Sequence, residues 1–207
     1  MAITTYAELQ SAIGDWLNRA DLTAVIPTFI SLAEARFNRG IRHRKMVERA
    51  TATLDTEYSA LPADWLETIR YQINTNPITV LEFVSPDQAA MLKGANSAVG
   101  KPIYYTQIGQ QFQVIPVPDS AGYTGELTYY AKIPALSVSN TANWLLQDAP
   151  DLYLYTSLMQ SAPYLKDDER IAVWASMAQA LQQDLAVSDE RARMATSALR
   201  MRARSFG

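Results

Sequence analysis

Residues 29–50 read FISLAEARFNRGIRHRKMVERA, and the chain changes character within them. Phe29, Ile30, Ala33, Phe37 and Ile41 recur at steps of three and four, the spacing of one buried helical face. Arg36, Arg39, Arg42 and His43 point away from that face. Gly40 ends or bends the helix, because glycine in a helix interior costs about 1 kcal/mol. From about residue 48 the pattern shortens: ERATATLDTEYSALPADW alternates and is rich in Thr, as strands are. The same stretch carries six of the chain's eighteen Lys and Arg, from Arg36 to Arg49, although the formal net charge is −3.

Upstream, Thr4 or Thr5 can cap a first helix, with Glu8 completing a capping box to Thr5. Tyr6, Leu9, Ile13, Trp16 and Leu17 follow at helical spacing, and Asp21 can cap the helix that contains Phe29. The two helices read as an antiparallel hairpin. Downstream, ETIRYQINTNPITVLEFV reads as a strand, a turn at NTNP and a second strand. KPIYYTQIGQQFQVIPVPD reads as two strands around IGQQ, and YTGELTYYAKIP as a last strand. SPDQAAMLKGA between them reads as a short helix capped by Ser85 or Asp87. Helices return after NTANWLLQDAP. Asp148 can cap one with Pro150 in its first turn, and Asp167 or Asp168 the next, whose apolar residues are Ile171, Trp174, Ala178, Leu181 and Leu185. Ser188 can cap a last helix, acidic at its start and ending on Arg200, Arg202 and Arg204, the charge order the helix dipole prefers. Its apolar face is thin. The expected fold is α+β and mainly helical. A four-helix body forms from residues 1–47 and 140–187, a β-rich insert at 48–139 projects from it, and 188–207 is a C-terminal helical extension.

A chain of 207 residues, 48% apolar and 10% aromatic, suits one domain or one core with an inserted subdomain. With no cysteine, disulfides, thiol nucleophiles and thiolate metal sites are excluded. MAITTYAELQ lacks the basic and apolar regions of a signal peptide, and no run approaches the length of a membrane span. A soluble cytoplasmic product with no membrane partner is the expectation. The charge is segregated: eleven basic residues fall in Arg36–Arg49 and Arg191–Arg204, whereas residues 50–190 hold six Lys or Arg against sixteen Asp or Glu.

The residues of chemistry are sparse. His43, the one histidine, sits among Arg42, Arg44 and Lys45 and reads as a solvated helix-end residue. KDDER (166–170) groups three carboxylates. Such groups can hydrolyse glycosides when held across a cleft, but before an apolar helical run they read as an N-cap. No glycine-rich phosphate loop, nucleophile elbow or metal set is present, so neither a cofactor nor a metal is expected. Tyr104, Tyr105, Tyr129 and Tyr130 lie on predicted strands and read as packing residues. The basic stretches are the positive signal. The acidic body and a pI near 5.2 argue against a nucleic-acid grip, and a membrane anchor needs larger apolar residues opposite the charges. Arginine forks suit carboxylates on a protein partner, so docking is the leading reading.

FISLAEARFNRGIRHRKM (29–46), ALPADWLE (60–67), GKPIYYTQIG (100–109), TYYAKIPALS (128–137), NWLLQDAPDLYLYTSL (143–158) and YLKDDERIAVWASMAQAL (164–181) occur in this order. The succession resembles the head-to-tail adaptor (head-completion, connector) proteins of tailed bacteriophages. The resemblance implies a structural, non-enzymatic virion protein at the neck. It would form a homo-oligomeric ring of about twelve copies with heterologous contacts, bind the portal protein, and present a surface to the nozzle or tail. It also implies that genomic DNA passes through the lumen without specific binding, the wall carboxylates repelling phosphate. Partner contacts, to portal or neighbouring subunit, are expected at Arg39, Arg42, Arg44, Arg200, Arg202, Arg204 and Phe206. Two other readings compete: a virion-associated cell-wall glycosidase using Asp167, Asp168 or Glu169, and a DNA-binding protein reading through the basic helix end.

Overall fold

The structure, a computed structural model, describes residues 2–19, 21–95, 98–119, 122–165 and 170–195. The chain divides into two compact units, one of residues 1–45 with 133–207 and one of Met46–Lys132.

The first unit is helical. Helix α1 (Tyr6–Leu17) starts on the capping box read from the sequence: Thr5 Oγ1 accepts from the Glu8 N–H and the Glu8 carboxylate accepts from the Thr5 N–H. With Thr4 also donating to it, the Glu8 carboxyl is held down to about 2. Helix α2 (Ile26–Gly40) buries the predicted Phe29–Phe37 face. Its N-cap is Val25, with Pro27 in the first turn, and not Asp21, which pairs with Arg19 instead. Residues 133–143 lead back to α4 (Trp144–Asp148), capped by Asn143, and to α5 (Pro150–Gln160), which begins at Ala149 with no side-chain cap. Asp148 is thus the end of one helix and not the start of the next; its carboxylate takes Lys45 Nζ at 2.6 Å. After α6 (Ala162–Leu165), α7 runs unbroken over Arg170–Ala195. The expected boundary at Ser188 does not exist: Ser188 Oγ donates back to Leu185 O at 2.8 Å, the local bond that lets serine sit inside a helix. Helix α5 is buried along most of its length, because α1, α2 and α7 all pack against it.

The second unit is β-rich. Its strands are β1 (Val47–Leu54), β2 (Tyr58–Ala60), β3 (Trp65–Ile73), β4 (Thr79–Val80), β5 (Glu82–Phe83), β6 (Tyr104–Ile108), β7 (Gln111–Ile115) and β8 (Tyr123–Ala131), with α3 (Pro86–Ala95) between β5 and β6. Ser85 Oγ caps α3 through the Gln88 N–H. One sheet has the order β1-β8-β3-β4 and the other β2-β7-β6-β5; every pairing is antiparallel except β5 with β6. The β6–β7 hairpin turns at Gly109, whose φ of 60° suits glycine. Leu54, Tyr71, Ile73 and Leu127 of the first sheet meet Tyr105, Phe112 and Val114 of the second in one core. Gly125 lets this core close: a Cβ there would lie 3.0 Å from Leu54 Cγ.

These observations correct the expected fold class. Among the described residues there are seven helices and two four-stranded sheets, about 46% helix and 23% strand. The protein is α+β, not a mainly helical four-helix body with an appendage. Alternation and turn residues located the strands, but the strands close over a core of their own.

Candidate assembly surface

The basic shoulder is built where α2 ends. Arg39 is exposed on the last turn of α2, Arg42 follows its C-cap, and Arg44 opens a 3-10 turn (Arg44–Met46). Arg42 Nη1 donates to the carbonyls of Asn38 and Ile41 at 2.9 and 2.8 Å, the free acceptors of a helix end. Arg36 Nη1 reaches Met159 Sδ of α5 at 3.2 Å. Between this shoulder and α7 lies an open groove of about 530 Å³, lined by Arg36, Gly40, Arg42, Gln179, Gln182 and Gln183 among others. Its polar lining is all amide and guanidinium, chemistry suited to binding carboxylates and carbonyls.

Beneath the shoulder is a polar cluster. His43 is only 4% exposed, which corrects the solvated helix-end reading. Its ring stacks on Trp144, with centroids 5.0 Å apart at 18°. Nδ1 accepts from the Lys45 N–H at 3.2 Å, which leaves the ring proton on Nε2, 3.4 Å from Asp189 Oδ1. Asp189, 5% exposed on α7, also accepts from the Arg44 N–H at 3.2 Å and from Arg193 Nε at 2.8 Å. Arg44 therefore serves α7 with its backbone, and its half-exposed guanidinium lies 3.9 Å from the same carboxylate. Sequence could not find this cluster, because His43 and Asp189 are far apart in the chain and share no motif.

Burial pushes the His43 imidazolium below its ordinary range, with Arg44 and Lys45 in the same direction and Asp189 and Asp148 opposing. A histidine harder to protonate when folded than when unfolded stabilises fully above its unfolded pKa of about 6.5 and loses that contribution as pH falls toward the folded value. Melting temperature should therefore drop between pH 7.5 and 5.5, and drop less in His43→Gln. An equal drop in both proteins would contradict this. Glu34 acts in the opposite sense and is common to both: burial raises its carboxyl, so its contribution is lost as pH rises.

Glu34 belongs to a second buried network. Its Oε1 accepts from the Leu136 N–H at 2.7 Å and from Tyr153 OH at 3.3 Å. Asn143 Nδ2 donates to Tyr153 OH at 2.7 Å and to Pro134 O at 2.8 Å, and Asn38 Oδ1 takes the Ile133 N–H at 2.9 Å. α2 thereby pins the returning segment to α5, and satisfied buried polar groups of this kind fix one arrangement of a core.

Asp167, Asp168 and Glu169, and Arg200, Arg202, Arg204 and Phe206, lie outside the described residues. Of the expected contacts the structure describes Arg39, Arg42 and Arg44, all exposed. The strand tyrosines divide: Tyr105 and Tyr129 are buried in the β core, and Tyr104 packs against Val84, Ala89 and Ile115. Among the described residues no group of three or more His, Asp or Glu could hold a metal, and no helix is long and apolar enough to cross a membrane.

No curated protein matches the chain. A family model described as SU10 adaptor protein matches residues 4–202. With the match covering the helical and β-rich units alike, the chain belongs to the SU10 adaptor protein family, a phage head-to-tail adaptor family of structural virion proteins.

Proposed function

We propose that the chain closes a ring of about twelve copies below the portal at the virion neck, where it extends the DNA channel and receives the nozzle or tail. The observation that carries this reading is the family match over residues 4–202. Three features support it. A ring needs two different exposed faces on each subunit, and the helical unit offers a basic shoulder and long exposed stretches of α7. The Arg39–Arg44 shoulder, with Arg42 held along the helix end, suits carboxylates of a portal or a neighbouring subunit. The excess of Asp and Glu over residues 50–190 suits a passage wall that does not retain DNA.

The tail residues Arg200, Arg202, Arg204 and Phe206 are assigned to the portal. Alanine at all four should reduce co-sedimentation with purified portal at least about tenfold while leaving the helical circular dichroism unchanged. Wild-type binding should weaken as salt rises, because exposed arginine–carboxylate pairs are screened. Undiminished portal binding by the fourfold variant would refute the tail assignment.

A further inference from the structure

Strands β1 and β2 follow one another with only residues 55–57 between them, yet they do not pair: β1 lies on β8 and β2 on β7. Elsewhere the two sheets are joined. Residues 79–83 bond β3 and then β6, the Leu81 N–H donating to Tyr71 O and the Glu82 N–H to Ile103 O, each at 2.9 Å. The β-rich unit is thus a barrel of strands left open along the seam between β1 and β2. A cleft of about 40 Å³ lies in that seam, walled by small side chains, Ala50 and Ala52 on one side and Ser59 and Ala60 on the other. Tyr71 and Phe112 of the core lie beneath it.

Main-chain groups of both strands face the seam. The Val114 N–H donates to Glu57 O and the Leu61 N–H to Gln110 O. Residues 57, 59 and 61 therefore bond β7, and the groups of Tyr58 and Ala60 turn away from it. On the other sheet the Asn74 N–H donates to Thr124 O, so the even residues of β8 serve β3 and the odd ones serve β1. Ala50, Ala52 and Leu54, opposite Leu127, Gly125 and Tyr123, are thereby used, and the groups of Arg49, Thr51 and Thr53 turn toward the seam. β1 is eight residues long, with no proline and no bulge, two of the devices that block an edge strand. An extended segment laid in the seam would find hydrogen-bonding groups on both sides.

The chain's own tail has the pattern such a seam needs. Residues 199–204, outside the described residues, read LRMRAR. Leu199, Met201 and Ala203 alternate with Arg200, Arg202 and Arg204, the period of a strand with one apolar face. On a helix, steps of two lie about 200° apart and share no face. Parallel to β1 with Met201 beside Ala52, Leu199 lies beside Ala50 and Ala203 beside Leu54, so that large side chains meet small ones. On the outer face Arg200 and Arg202 then lie beside Thr51 and Thr53, and Arg204 beside Asp55. Antiparallel with the same anchor, Leu199 meets Leu54 and Arg204 meets Arg49. Residues 46–132 also hold nine Asp or Glu against five Lys or Arg, a net charge opposite to the tail's. We propose that residues 199–204 of one copy add as a strand to the β1–β2 seam of the next, parallel to β1, with the apolar side chains over Tyr71 and Phe112. A strand given by each copy to its neighbour is a head-to-tail contact that repeats. The proposal rests on the ring reading above and names its subunit interface. It leaves the three arginines on the outer face for the portal contact.

The chain has no cysteine, so the contact can be trapped without background. Neighbouring strands lie about 4.8 Å apart, within reach of a disulfide. Full-length Ala52→Cys and Met201→Cys chains are mixed under mild oxidation, free and on portal. The expected product is a disulfide-linked dimer of the two variants, and a ladder of multimers from the A52C/M201C double variant. Ala50→Cys should link to Leu199→Cys and not to Ala203→Cys. Absence of the mixed product in both settings overturns the proposal, as does a bond closed within one chain of the double variant in place of the ladder. Ala50→Cys linked to Ala203→Cys overturns the parallel register. If a collar forms on portal but the mixed pair does not cross-link within it, this interface is wrong and the ring stands. If wild type forms no collar, the ring reading itself fails.

Discussion

Phe112→Ala should cost about 3–5 kcal/mol and unfold the β-rich unit before the helical one. Phe112 is 3% exposed on β7, at the centre of an aromatic cluster. Its ring centroid lies 5.1 Å from that of Tyr71, 5.4 Å from Tyr105 and 6.2 Å from Trp65, the last two edge-on. Edge-on aromatic pairs contribute beyond their buried area, and the site is walled by strands of both sheets, which cannot collapse into the space left behind. A domain's total stability is about 5–15 kcal/mol, so the loss is a large fraction of what holds residues 46–132 together. Hydrogen exchange checks this locally. Amides of β3, β7 and β8 should lose protection while those of α5 keep theirs. Equal loss in α5 would mean that the two units unfold as one.

Asp189→Ala should be the most damaging single change in the helical unit outside its apolar core. The substitution removes one carboxylate and strands three donors: His43 Nε2, the Arg44 N–H and Arg193 Nε. The two arginine side chains are about half-exposed and can turn to water. The loss is therefore set by the buried histidine and backbone donors, about 2–3 kcal/mol. Its effect should be confined to residues 182–195 and 41–45, read as faster amide exchange there with α1 and α2 unchanged. Asp189→Asn, which keeps an acceptor, should fall between the variant and wild type. No change in exchange of the α7 amides on Asp189→Ala would show that the cluster does not anchor α7.

Local rules were legible in the sequence wherever one short stretch decided the outcome. The Thr5–Glu8 capping box, the Phe29–Phe37 face of α2, the β3–β4 and β6–β7 turns, the Ser85 cap and the inward face of α7 all follow from spacing and residue type. Decisions made between distant segments were not. Asp21 and Asp148 looked like caps because Asp caps helices in general, but each is taken by a cation instead, Arg19 and Lys45. Ser188, Asp189 and Glu190 read as a helix start; in the fold Asp189 faces the buried His43, and the helix passes through. His43 lies among cations in sequence and is covered by Trp144 in space. The balance between helix and sheet is not legible in the sequence, because a β insert's size does not announce whether its strands form their own core.

In the proposed assembly, copies of this chain surround the portal exit as a closed ring. The mass of the complex formed by full-length chain and purified portal, measured by native mass spectrometry or light scattering, tests it most directly. A closed ring gives one saturated species carrying a fixed number of adaptor copies, about twelve, with no partly filled intermediates at excess chain. A complex that stops at one or two copies, or a continuous spread of copy numbers, would contradict it.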